Sequence, residues 1–207
     1  MSEQTPQLYD EGEEHWRVRL HLGCGGVYLT GYINADLHGT QVDSQPFHAT
    51  TITDYYKGLH GDAGAIPARR DACVDAYADM RHIDTLTTRP VSKIVCIQAL
   101  EHLGKFDAIE ALGRWGKAMR PGGVLIVSVP DSLRTLDTIA RDDNPDFGVR
   151  HLLGKRDGGG YYHRSHWTRD TIHTALWDAG FGATSELVNI HFYPAIVVRA
   201  VKQGGGA

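Results

Sequence analysis

The sequence predicts an α/β domain built on a mainly parallel sheet, and three observations carry that prediction. Short apolar or alternating runs of strand length recur at 17–22, 32–36, 73–79, 93–97 and 124–129. A helical period separates the last two of them, at 106–119. A capped helix over 168–179 is followed by two closing runs near 184–190 and 195–201. Strands that alternate with helices, with central strands apolar throughout, form parallel sheets covered by helices.

Each element has its own signal. Arg17-Val18-Arg19-Leu20-His21-Leu22 alternates polar and apolar residues and runs into glycines, as a strand entering a turn does. Tyr32 to Asp36 is a short second strand, and Cys73 to Asp79 a third. Lys93-Ile94-Val95-Cys96-Ile97 is apolar enough for a buried fourth. Ile109, Leu112, Trp115, Ala118 and Met119 repeat at helical spacing, with Pro121-Gly122-Gly123 as the expected stop before a fifth strand. Thr168 is a helix cap, Ile172, Leu176 and Ala179 share one face, and Gly180 ends that helix. Trp115 and Trp177 read as core residues, and Cys24 as a small buried filler. Two stretches, 38–71 and 142–165, lack this rhythm and read as long loops; connections of that length are usually functional covers or insertions.

Composition narrows the function. The chain has 207 residues, 42% of them hydrophobic, with a net charge of −4, which fits one domain and argues against a polybasic nucleic-acid module. No apolar run approaches the roughly 20 residues that span a bilayer. The acidic start does not resemble a signal peptide, and three cysteines are an odd number, so a reducing cytoplasm is expected.

Ligands of parallel sheets bind at the carboxyl ends of the strands. Strand one ends in Leu22-Gly23-Cys24-Gly25-Gly26, where glycine lets the backbone approach a ligand. Strand two ends in Asp36-Leu37, a carboxylate suited to a ribose diol. Strand three ends in Asp79-Met80, an acceptor for an exocyclic amine beside an apolar cover for a ring. Strand four ends in Gln98-Ala99-Leu100-Glu101-His102-Leu103. The glycine pattern lacks the third glycine of the dinucleotide fingerprint, and Asp36 follows too soon. The segment 27–31 is too short for the helix that would hold a pyrophosphate. A nucleoside without pyrophosphate is the expected ligand.

Those residues resemble a known family. Leu20-His21-Leu22-Gly23-Cys24-Gly25-Gly26 followed by Gly31-Tyr32-Ile33-Asn34-Ala35-Asp36-Leu37 is similar to the opening of the class I S-adenosylmethionine-dependent methyltransferases, of the small bacterial methyltransferase-domain type. Asp79-Met80, Ala99 to Leu103, Met119 to Gly123, Ser128 to Asp131 and His166-Trp167-Thr168-Arg169 match later motifs in order. The resemblance implies a Rossmann-like seven-stranded sheet, mainly parallel with the last strand antiparallel and helices on both faces. It implies a domain over 17–202 with insertions near 38–71 and 142–165, a flexible segment 1–16 and a disordered tail 203–207. S-adenosylmethionine is the implied cofactor, with Leu22, Gly23, Cys24 and Gly25 around its amino-acid part. Asp36 and Leu37 would take the ribose, Asp79 and Met80 the adenine, and Gln98 and Ala99 the border with the substrate. His21 stands where many relatives carry an acid.

Methyl transfer needs alignment more than a covalent nucleophile. A hydroxyl acceptor adds the need for a base, and His163, His166 and His102 are the candidates. Of the pair Glu101-His102, either His102 lines the active site or Glu101 ties down the loop at strand four. No cysteine pair or His-Glu-x-x-His pattern is present, so no metal is expected. Arg150, Lys155, Arg156 and Arg164 make the second loop locally basic, as a solvated loop or an attractor for an anionic substrate. The expected activity is methylation of a small molecule, on oxygen rather than nitrogen, with a homodimer as one option for assembly. The alternatives are a macromolecule methyltransferase and a non-catalytic cofactor-binding protein of the same fold.

Overall fold

The computed structural model describes residues 18–25, 27–37, 40–41, 67–69, 73–141, 145–154, 162–187 and 193–204. Strands come in the order β1 (Val18–Leu22), β2 (Val27–Leu29), β3 (Ile33–Asp36), β4 (Thr40–Gln41), β5 (Pro67–Arg69), β6 (Cys73–Val74) and β7 (Ala76–Tyr77). They continue with β8 (Val91–Ile97), β9 (Met119–Pro130), β10 (Phe181–Glu186) and β11 (Ala195–Lys202). The helices are α1 (Lys105–Ala118), α2 (Ser132–Arg141), α3 (Asp146–Leu153) and α4 (Arg169–Asp178).

Seven strands form the main sheet in the order β10-β11-β9-β8-β1-β3-β7. Pairings among β7, β3, β1, β8 and β9 are parallel, and β11 runs antiparallel to β9 and β10. The last strand is therefore antiparallel, as the resemblance implies. Alternation along β8 divides the core: Ile94 and Cys96 face one side, Val95 and Ile97 the other. On the first side α1 supplies Ala108, Leu112 and Trp115, and α4 supplies Ile172 and Leu176. Leu29, Tyr32 and Leu187 pack on the second side. Trp115 is fully buried, but Trp177 is 63% exposed and is not a core residue; it lies on the solvent side of α4, away from Ile172 and Leu176.

Parallel neighbours usually need a helical crossover of a dozen or more residues. β1 and β3 are joined by residues 23–32, which among the described residues hold the short strand β2 and no helix. Asn34 makes this compact link possible. Its buried side chain accepts from Leu29 N (2.8 Å) and donates to Leu29 O (3.0 Å) and Tyr32 O (3.1 Å), adding to the turn's own backbone bond from Tyr32 N to Leu29 O. Asp75 braces it from below, accepting from Asn34 N, Asn34 Nδ2 and the Tyr28 hydroxyl. That role breaks the expected third strand, which becomes β6 and β7 on either side of Asp75.

Other expectations need correction. The Pro121-Gly122-Gly123 stop lies inside β9; α1 already ends at Ala118 and the chain straightens at Met119 to pair with Val91. The stretch 142–165 is not one open loop, since Asp146–Leu153 is helical and residues 162–165 are held against the sheet end. The first closing strand starts at Phe181, directly after Gly180. Segments 1–16 and most of 38–71, with the run Gly158-Gly159-Gly160, lie outside the described residues. Gln203, expected in the tail, donates its N–H to Gly180 O.

Candidate active site

Four adjacent strands, β7, β3, β1 and β8, end on the same edge of the sheet. Leu22 is buried at the end of β1, and Gly23 follows with φ +61°. A Cβ on Gly23 would stand 2.3 Å from Ala99 Cβ and 3.2 Å from Met80 Cε. Three of the predicted residues, from three separate strand ends, therefore meet at one point. Cys24 is buried, with its N–H on Ala35 O (3.3 Å), and Gly25 has open space where a side chain would stand.

Asp36 closes the next strand end. Its Oδ2 accepts from Gly25 N (2.9 Å) and its Oδ1 from Leu37 N (2.7 Å), so two backbone groups aim the carboxylate. Leu37 is an exposed side chain at the rim. Asp79 behaves differently from the expectation. Arg81, two residues on, takes both oxygens: Nε lies at 3.0 and 2.9 Å, and the backbone N at 2.9 Å from Oδ1. Those Arg81 bonds hold the Asp79 carboxyl below its ordinary range. Any ligand amine at Asp79 shares it with Arg81, a partner that the sequence reading missed although the i, i+2 spacing was in view. Met80 is pinned through its carbonyl by the Trp115 indole N–H at 2.7 Å.

Gln98 has φ +51°, the one non-glycine residue with positive φ among the described residues. Its N–H reaches Ser128 O (2.9 Å) and its Nε2 reaches Ser128 Oγ (3.0 Å), which hold the chain in that conformation. Strain of this kind, roughly 1–3 kcal/mol, clusters at functional sites. His21 is fully buried and donates from Nδ1 to Asn34 Oδ1 (2.9 Å). Burial pulls its pKa to about 4, so it is a neutral structural group rather than a charged ligand contact.

Beyond Ala99 the short 3-10 turn Leu100–His102 carries the polar end of the site. The Glu101 carbonyl accepts from Arg164 N (2.7 Å) and Ser165 N (3.0 Å), which fastens residues 162–165 onto the turn. His102 donates from Nδ1 to Tyr162 O (3.0 Å), and His163 from Nδ1 to Leu152 O (3.2 Å). The two rings stand edge to face with centroids 5.0 Å apart. His163 Nε2 is 3.9 Å from Glu101 Oε1. At that separation an ion pair is within reach, but burial prevents it. It pushes Glu101 up to about 8 and, with His102 adding to it, pulls His163 down to about 4, so both are neutral near pH 7. The fold thus joins His102 and His163. His166 is exposed, its carbonyl accepting from Lys105 Nζ (3.3 Å); its ring is near enough for its charge to act on His163 but is not among the three groups whose atoms converge.

Neither a protein-family model nor a curated protein matches the sequence. Solved structures do. An S-adenosylmethionine-dependent methyltransferase from Clostridium acetobutylicum superposes with a TM-score of 0.53 over 91% of this chain and 85% of its own, at 12% identity. An O-methyltransferase family protein from Burkholderia thailandensis gives 0.51 over 92% of this chain, at 14% identity; the chain spans 52% of that protein's length. The chain has the class I methyltransferase fold. In a sheet of this order the strand order reverses between β1 and β8, and the crevice at their carboxyl ends is the position at which open α/β sheets bind ligands. No helix among the described residues is long and apolar enough to cross a membrane.

Proposed function

We propose that the chain binds S-adenosylmethionine across the ends of β1, β3, β7 and β8 and transfers its methyl group to a hydroxyl of a small molecule. The observation that supports this most is the meeting of Gly23, Ala99 and Met80 beside a carboxylate that two backbone N–H groups already aim. The residues fit a nucleoside bearing an amino-acid tail. Backbone alone fills the closest approach at Gly23, open space lies at Gly25, and Asp36 offers carboxylate oxygens to a diol. When bound, the cofactor supplies a methyl group already activated on a sulfonium.

The chain's own residues then bind and orient. Gly23 to Gly25 bring backbone against the ligand, Asp36 takes the ribose hydroxyls, and Met80 gives an apolar contact to the base. Gln98 and Ala99 separate this half from the acceptor half. Glu101, His102 and His163 form the polar wall that meets the acceptor, and a neutral imidazole there is able to receive the proton of a hydroxyl. That favours oxygen over nitrogen as the acceptor atom. The net charge of −4 favours a small molecule over a nucleic acid.

The test is label transfer. The full chain is incubated with methyl-tritiated S-adenosylmethionine and a deproteinised metabolite extract, and labelled products are separated by mass. The expected product is an ether or ester carrying the label on oxygen. Label found only on amines would overturn the oxygen assignment, and no label above a heat-inactivated control would overturn the enzyme reading.

A further inference from the structure

The cluster beyond Ala99 has a property that a proton-accepting wall does not explain. Glu101 is 1% exposed, and among the described residues no other residue hydrogen-bonds its carboxylate oxygens; its own backbone N–H is what acts on them. A buried carboxyl without further partners costs several kcal/mol of solvation, so such groups are rare unless something else completes them. One ligand atom each from Glu101, His102 and His163 lie within 4.8 Å of one another. The sequence reading expected no metal because no local spacing suggested three ligands. Glu101 and His102 are neighbours, but His163 comes from the far end of the second connection, and only the folded chain brings it to them.

The surroundings are built for ligation. Each imidazole gives its Nδ1–H to a backbone carbonyl, His102 to Tyr162 and His163 to Leu152. That fixes the neutral tautomer with its lone pair on Nε2, the arrangement of metal-bound histidines with a backbone partner behind them. The Glu101 main chain is clamped by Arg164 N and Ser165 N, so the turn that bears the carboxylate is tied to the extended segment that bears His163. His163 Nε2 and Glu101 Oε1, 3.9 Å apart, are near the span of two ligands on one ion with bonds of about 2.0–2.2 Å.

We propose that Glu101, His102 and His163 bind one divalent transition-metal ion, zinc by the character of the donors, with a coordination position left for the oxygen of the acceptor. Two imidazoles and one carboxylate are a ligand set of open catalytic zinc sites, where water or substrate takes the next position. Magnesium and calcium prefer oxygen donors and do not suit this set. The acceptor's role here rests on the methyl-transfer reading, and it narrows the acceptor to a hydroxyl compound able to bind a metal through that oxygen; with both Nε2 lone pairs taken up, the ion's charge would release the hydroxyl proton to water in place of a free imidazole. Metal binding itself does not rest on that reading.

The experiment uses the full chain stripped with a chelator and then titrated with zinc by calorimetry, with cobalt absorption in the visible as a second readout. One zinc per chain is expected, unaffected by millimolar magnesium. Glu101→Gln, His102→Ala and His163→Ala should each weaken zinc at least tenfold and abolish the cobalt band. His173→Ala, on the outer face of α4 beside Glu186, controls for adventitious binding and should change nothing. Zinc that binds equally to all four variants sits on surface histidines and overturns the proposal, as does a wild-type chain that binds none. If Glu101→Gln does not fold by circular dichroism, His102→Ala, at the half-exposed member, decides. S-adenosylhomocysteine titrated into the stripped protein is scored separately: its failure counts against the cofactor reading and leaves the metal result standing.

Discussion

Gly23→Ala probes the point where the three strand ends meet. The new methyl would stand 2.3 Å from Ala99 Cβ, far inside the 3.5–4.0 Å at which carbon atoms rest, so backbone must move. Two costs add. Holding an L-residue at φ +61° costs about 1–2 kcal/mol. Overpacking a filled site typically costs another 1–3 kcal/mol. The sum, about 2–5 kcal/mol, corresponds to a fall in melting temperature of roughly 5–15 °C for a domain of this size. The displacement also carries the Gly23–Gly25 backbone away from its position against Asp36, so affinity for S-adenosylhomocysteine should fall at least tenfold. The two costs can be separated. In the double variant Gly23→Ala/Ala99→Gly the carbon that is struck is gone, and Met80 Cε, the end of a flexible side chain, gives way. About half of the lost stability should return, and the conformational cost should remain. Urea denaturation of the wild type, both single variants and the double variant measures this. A single variant within 0.5 kcal/mol of wild type, or a double variant no better than Gly23→Ala, would refute the assigned contact.

Further outcomes test the frame around the site. His21 is neutral when folded with a pKa near 4 and has an ordinary value of 6.5 when unfolded, so the unfolded chain binds the extra proton between those values. Its contribution is intact above pH 6.5 and is lost as pH falls towards 4, about 3 kcal/mol at 1.36 kcal/mol per pH unit. His21→Gln should therefore show a shallower acid loss by about that amount, and parallel profiles in urea titrations would argue against the buried neutral ring. Asp79→Asn breaks the pair with Arg81, which is partly exposed and worth under about 1 kcal/mol. Its melting temperature should barely change while cofactor-product affinity drops several-fold; the reverse pattern would make Asp79 a structural cap. Thr168→Ala removes the reciprocal cap in which Thr168 Oγ1 accepts from Thr171 N and Thr171 Oγ1 accepts from Thr168 N. It should cost about 1 kcal/mol in thermal melts and leave ligand binding unchanged, and an affinity loss there would tie α4 to the site.

What was legible in the sequence is what local pattern controls. The stretches 94–97 of β8 and 125–127 of β9 are apolar throughout because they are buried on both faces, and α1 and α4 carry a 3.6-residue period against that sheet. The site glycines and Asp36 were legible because strand ends are marked by a change from apolar residues to glycine and acid. α2 was missed although Asp131 caps it, accepting from Arg134 N, because its Leu133 and Leu136 are exposed and give no inward stripe. α3 was hidden inside the stretch 142–165, where Asn144-Pro145 and the run Gly158-Gly159-Gly160 read as loop. The helix-free link from β1 to β3 depends on Asn34 and Asp75, far apart in sequence and joined only in the fold. The same holds for Glu101 and His163, whose neighbouring positions follow from clamping residues 162–165 onto the end of β8.

The central claim is that the ends of β1, β3, β7 and β8 together hold the nucleoside of S-adenosylmethionine. Calorimetric titration of S-adenosylhomocysteine into the wild-type chain and Asp36→Ala tests it most directly. Hydrogen bonds to a charged acceptor are worth roughly 1.5–3 kcal/mol each, so losing those of the ribose diol predicts an affinity at least tenfold weaker. The account predicts one site per chain in the wild type and that loss in a folded Asp36→Ala. No binding to the wild type, or equal affinity in the two proteins, would contradict it.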